Sequence, residues 1–102
     1  MNELTSKQVR KLRAMGQRLD DAAAIGKAGL SDESAANVER LLDAHELIKV
    51  RLPGELEGSA RKDFGRQLAE KVGAACVNIV GRTVLLYRPN ESLPADKRVK
   101  LA

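Results

Sequence analysis

The sequence predicts an α/β fold: a two-layer sandwich in the order helix, strand, helix, strand, helix, strand, strand, with helices against one sheet face. Three observations carry this. Three stretches place apolar residues at helical spacing behind capping residues, one short stretch alternates strictly, and two aliphatic runs flank a two-residue loop that begins with glycine.

The first helix opens at "LTSKQV". Thr5 can cap it, Gln8 stands three residues on as in a capping box, and Leu4 with Val9 suits a hydrophobic staple. Val9 and Leu12 share one face, Lys7, Arg10 and Lys11 the opposite one, and Gly16 is expected to end the helix. Residues 22–26 read as a short buried strand between Asp20-Asp21 and Gly26, although three alanines favour a helix. The second helix starts behind Ser31, with Asp32 and Glu33 at the positive end of its dipole and Val38, Leu41 and Leu42 in register. In "ELIKVRL", Ile48, Val50 and Leu52 face one way and Lys49 and Arg51 the other, until Pro53-Gly54 stops the strand. Ser59 is the expected cap of the third helix, where Phe64, Leu68 and Val72 recur every four residues before Gly73. "ACVNIVGRTVLLYRP" is a hairpin, with Gly81-Arg82 as a type II′ loop and Pro89 as the stop. Residues 1–90 should form one domain and 91–102 a loose polar tail.

Charge is distributed unevenly. The net charge of +4 divides into +3 over residues 1–30, −4 over 31–60 and +5 over 61–102, which suits a surface with one basic and one acidic face. A polyanionic partner is one reading of the basic thirds, and an ordinary solvated surface is the other. Phe64 and Tyr87 are the only aromatics, so rows of stacked bases are not available to this chain. Cys76 is the single cysteine, which excludes an intrachain disulfide and points to a reducing, cytoplasmic setting. The first ten residues lack the apolar core of a signal peptide, and no apolar run reaches the ~20 residues of a membrane span.

Little points to catalysis. Cys76 sits in an apolar run and reads as packing, and His45, the single histidine, reads as a helix-end residue favoured by the dipole. One Cys and one His fall short of a structural zinc site, and no spacing singles out an acid–base pair, so neither enzyme, metal nor cofactor is expected. "GKAG" at 26–29 is a short G-x-x-G loop between a strand and a helix. A Walker loop would need glycine where Asp21 stands and Ser or Thr where Ala28 stands. The loop is therefore either a plain turn or a phosphate clamp of the kind KH domains use, with Lys27 adding charge.

Five stretches in order, "LTSKQVRKLR", "IGKAGLSDE", "ELIKVRL", "RQLAEKVGA" and "VGRTVLLYRP", resemble the YhbY family, the bacterial single-domain form of the CRM domain. The match runs over about residues 4–90. The resemblance implies an RNA-binding α/β domain shaped like the C-terminal domain of translation initiation factor three. It implies a role beside precursors of the large ribosomal subunit, and plant relatives assist intron splicing. It assigns RNA contact to Gly26, Lys27, Ala28 and Gly29, where many members have glycine in place of Ala28, and makes Arg82 in "GRT" a second contact. It also supports the strand at 22–25. Lys7, Arg10 and Lys11 could extend the basic surface, with Arg61, Lys62, Arg66 and Arg88 as further candidates. The expectation is a non-enzymatic ribosome assembly factor that binds RNA by backbone and shape. The alternative is a protein-interaction adaptor docking a basic partner through the acidic second helix.

Overall fold

A computed structural model describes residues 4–101. The elements run α1 (Ser6–Gly16), β1 (Asp21–Ala24), α2 (Asp32–His45), β2 (Leu47–Arg51), α3 (Ser59–Val72), β3 (Ala75–Val80) and β4 (Thr83–Tyr87), with a 3₁₀ turn at Ala95–Lys97. This is the α/β order expected. The first strand does form, but over Asp21–Ala24 and not buried, since only Ala23 of its four residues is half-buried. The sheet order is β1-β2-β4-β3, with β1 parallel to β2 and the other neighbours antiparallel.

Local chemistry explains most boundaries. Thr5 Oγ1 accepts from the Gln8 N–H at 3.1 Å and Gln8 Oε1 accepts from the Thr5 N–H at 3.0 Å, completing a reciprocal box. Ser31 and Ser34 close a second box at α2, at 3.1 and 3.0 Å. Ser59 departs from expectation. It is the first helical residue of α3, Gly58 occupies the cap at φ +52°, and no side chain caps that end. Gly81 has φ +58° while Arg82 does not have positive φ, the sign pattern of a type II′ turn.

The strands sort their side chains by face. Ile48, Val50 and Leu52 join Val84 and Leu86 in a core with Val38 and Leu42 of α2 and Leu68 and Val72 of α3. The reverse face is not open to solvent, because α1 lies there. Leu12 is fully buried against Leu47, Leu85 and Tyr87. The helices therefore occupy both faces rather than one. The reason lies in β4, whose "VLLY" is apolar at every position and so needs cover on both sides. α1 ends at Gly16 as expected, but the glycine also serves this packing. A Cβ there would lie 2.7 Å from Leu85 Cδ2, so glycine lets α1 approach the sheet, while Gln17 caps the helix in ordinary right-handed geometry.

The polar C-terminal segment is not loose. Val99 and Leu101 pack on the α1-side core, and the Asn90 and Val99 N–H groups each donate to Glu46 at 2.6 Å. Glu46 ends α2 at φ +61°, the one non-glycine with positive φ among the described residues, and its side chain is completely buried. Burial alone pushes its carboxyl up. The two N–H groups and the Arg98 guanidinium, 3.2 Å away, outweigh that and hold it below its ordinary value.

Candidate nucleic-acid interface

Strand pairing fixes which loops share an end of the sheet. Ala24 pairs with Arg51, Arg51 with Thr83, and Thr83 with Val80. The loop after β1, the loop after β2 and the β3–β4 turn thus emerge together. Of the expected contacts, Gly26–Gly29 and Arg82 are brought to this one end.

Gly26–Gly29 is a hydrogen-bonded turn, with the Gly29 N–H donating to the Gly26 carbonyl at 3.0 Å. The Ile25 N–H, bonded to the Arg51 carbonyl at 2.9 Å, anchors the turn to the end of β2. Lys27 and Ala28 form its exposed tip, and neither has positive φ. Ala28 therefore stands there without strain. Gly29 is different: at φ +76° any side chain would be strained, whatever the space around it. A Cβ on Gly26 would meet nothing within 4 Å, so the backbone here is open to an approaching group.

The electrostatics are more favourable than the sequence suggests. Asp32, at the first turn of α2, accepts a hydrogen bond from Lys71 Nζ of α3 at 2.9 Å. That bond, and then the lysine's charge, hold the Asp32 carboxyl below its usual range. The acid beside the loop is thereby offset by a neighbouring cation. Lys27 and Arg82 are exposed, and neither side chain forms an ion pair or hydrogen bond among the described residues. Arg82 is held by its backbone instead, its carbonyl accepting from the Leu52 N–H at 2.7 Å.

Lys7, Arg10 and Lys11 lie on α1, across the sheet from α2 and α3. Lys7 and Arg10 are exposed and Lys11 is half-buried. On α3, Arg61 Nε donates to the Leu56 carbonyl at 2.9 Å and Arg66 pairs with Asp63 at 3.6 Å, while Lys62 is exposed. Arg88 is a correction. Its guanidinium donates to the Val72 carbonyl and Asp43, both at 2.6 Å, and to Glu39 at 3.4 Å, clamping α2 to the end of α3. It is a structural residue at the opposite end of the sheet from Lys27. His45 is exposed at the end of α2, and Cys76 packs against the core, where burial pushes its thiol up.

Sequence reasoning passed over Glu46. Its one signal is phase, since it alternates with Ile48, Val50 and Leu52, three buried positions.

The described residues hold no cluster of three or more His, Cys, Asp or Glu able to bind a metal, and no helix among them is long and apolar enough to cross a membrane. A Haemophilus influenzae protein named RNA-binding protein is 31% identical over 91 residues, covering 89% of this chain and 91% of its own. The Bacillus subtilis protein named Probable RNA-binding protein YqeI is 30% identical, covering 96% and 98%. The solution structure of a Staphylococcus aureus protein described as a candidate RNA-binding protein superposes with a TM-score of 0.80 at 27% identity, covering 98% of this chain and all of that one. Residues 4–88 match the CRS1/YhbY (CRM) domain, and the chain belongs to that family.

Proposed function

We propose that this protein binds RNA by gripping its phosphate backbone with the Gly26–Gly29 turn, and that it does so during assembly of the large ribosomal subunit in the cytoplasm. The observation that carries the grip is the turn itself: an open backbone with an exposed lysine at its tip, unpaired among the described residues, at the same end of the sheet as Arg82. Family membership and the names of the relatives support RNA as the ligand. Recognition by backbone and shape follows from two aromatics, one of which, Tyr87, is buried. Lys7, Arg10 and Lys11 would extend the contact along α1. The domain acts by binding rather than catalysis.

The adaptor reading loses support from the ion pairs. Asp32, Glu39 and Asp43 of α2 are already matched by Lys71 and Arg88, so a basic partner would have to displace them.

Salt titration tests the grip. The log–log slope of affinity against salt should change by about 0.7–0.9 for each phosphate contact removed. Lys27→Ala should weaken binding to a structured ribosomal RNA fragment and flatten that slope by about one such step. Lys97→Ala, on the 3₁₀ turn, is the control, and equal affinities for the two variants would return the loop to a plain turn. For the assembly role, the protein should co-sediment with precursor large subunits and leave them after nuclease treatment. Sedimentation that nuclease leaves unchanged would favour a protein partner.

A further inference from the structure

A cleft of about 210 Å³ opens on the α1 side of the sheet, between the end of α1 and the last residues of β3. It is lined by Arg13, Gly16, Gln17, Lys49, Asn78 and Val80, together with parts of Thr83 and Leu85. The Gly16 approach to Leu85 sets its depth. A β-bulge sets its contents. Cys76 pairs with Leu86 and Asn78 with Leu85, leaving Val77 as the extra residue. Alternation is broken there. Val77 packs on the α1-side core while the next residue, Asn78, lines the cleft on that same side. Bulges that re-aim a side chain are frequent beside functional sites.

The lining has the composition of a site for a small polar ring. Val80, 65% exposed, supplies an apolar surface. Among the described residues, the Arg13, Gln17 and Asn78 side chains have no hydrogen bond or ion pair, although all three line a concave surface. Lys49 Nζ donates to the Leu19 carbonyl at 3.1 Å, and an ammonium has two further donors. The cleft is smaller than the ~300–1,000 Å³ of pockets for drug-sized ligands, so it suits one heterocycle.

We infer that this cleft receives a single unpaired nucleotide of the bound RNA. The inference rests on the RNA-binding reading above and adds a second, base-contacting site to its backbone grip. The base lies against the exposed side chain of Val80, with Leu85 at the back of the cleft. The Arg13 guanidinium provides the stacking plane that aromatics supply in other RNA-binding domains. The Asn78 and Gln17 amides, each both donor and acceptor, meet the base edge, and Lys49 meets the adjoining phosphate. The cleft borders Val80 and Thr83, the residues that flank the Gly81-Arg82 turn, so one RNA can reach both sites.

The test uses two hairpin RNAs with the same stem, one fully paired and one with a single unpaired nucleotide, and titration of the isotope-labelled protein with AMP, GMP, CMP and UMP. Asn78→Ala should lower affinity for the interrupted stem about tenfold and leave the paired stem unchanged. The mononucleotides should give saturable NMR shifts at the Asn78 and Gln17 amides and at Val80. Val80→Asp, checked for an unchanged fold by circular dichroism, should abolish those shifts. Equal losses on both stems, or none on either, overturn the cleft while the backbone grip stands. If neither stem binds the wild type, the RNA reading fails and the mononucleotide titration alone judges the cleft, with absent saturable shifts overturning it. Shifts with an acidic peptide but not with nucleotides also overturn it.

Discussion

At one end of the sheet Lys27 and Arg82 are exposed and have no side-chain partner among the described residues, while at the other Arg88 is bound to Val72, Glu39 and Asp43, and Glu46 to Arg98 and two backbone amides. Both ends are built from the same residue types. What separates them is where the chain returns. The 90–101 segment supplies partners for Glu46, and α2 with the end of α3 supplies them for Arg88. Among the described residues, nothing lies within 4 Å of where a Cβ on Gly26 or Gly29 would stand. In the proposed reading, the paired charges hold the fold and Lys27 and Arg82 are the ones that meet RNA.

Breaking the Glu46 end should have the largest effect on stability. Glu46→Ala removes the acceptor of two backbone N–H groups and of Arg98. Removing one partner of a buried ion pair costs ~3–5 kcal/mol, and Arg98 keeps some water, so about 3 kcal/mol is expected. Urea unfolding measures the loss, and hydrogen exchange should show 90–101 released first. A tail that stays protected in this variant would mean that Val99 and Leu101 hold it without the carboxylate.

Arg88→Ala comes next. The guanidinium ties Val72, Glu39 and Asp43 together from a mostly buried position, and charged hydrogen bonds of this kind contribute about 2 kcal/mol. RNA affinity per folded molecule should be unchanged. A selective loss of RNA binding with intact stability would place the interface at this end instead.

Acid should sharpen the same contrast. The Glu46 carboxyl lies below its ordinary value of 4.5 in the fold, so the unfolded chain binds the proton more readily. Its contribution is fully present above that ordinary value and is lost as pH falls through the folded one. Melting temperature should therefore drop more steeply below about pH 4.5 in the wild type than in Glu46→Gln, which has no proton to gain. Parallel profiles would show that other carboxylates govern the acid limb.

The capping boxes, the alternation of β2 and the hairpin turn were legible in the sequence because each depends on residues within a few positions of one another. The Gly26–Gly29 turn was legible for the same reason, its closing bond spanning three residues. The remainder depends on distant partners. Glu46 meets Asn90 and Val99 from 44 and 53 residues away, and Arg88 meets Glu39 across 49. Composition cannot distinguish Arg88 from Arg82, since only the fold decides which one finds acids. The side chosen by α1 was partly readable, in a β4 strand without a polar face. The bulge at Val77 had no signature, because a bulge is a register between two strands rather than a pattern in one.

The smallest effect on stability tests the comparison most closely. Arg82→Ala removes an exposed side chain with no ion pair, and its backbone bond to Leu52 survives the substitution. Stability should move by no more than about 0.5 kcal/mol, as for surface positions without a specific role. Affinity for a structured RNA should nevertheless fall, with the salt slope flattened by about 0.7–0.9 if the side chain neutralises one phosphate. Arg88→Ala, in the same assay, should lose stability and keep the slope. The two arginines lie six residues apart in the chain, so composition and local sequence are controlled almost completely. If Arg82→Ala leaves both affinity and slope at the wild-type values, an unpartnered charge at that end is ordinary solvated surface, and the grip narrows to Lys27 and the backbone of the turn.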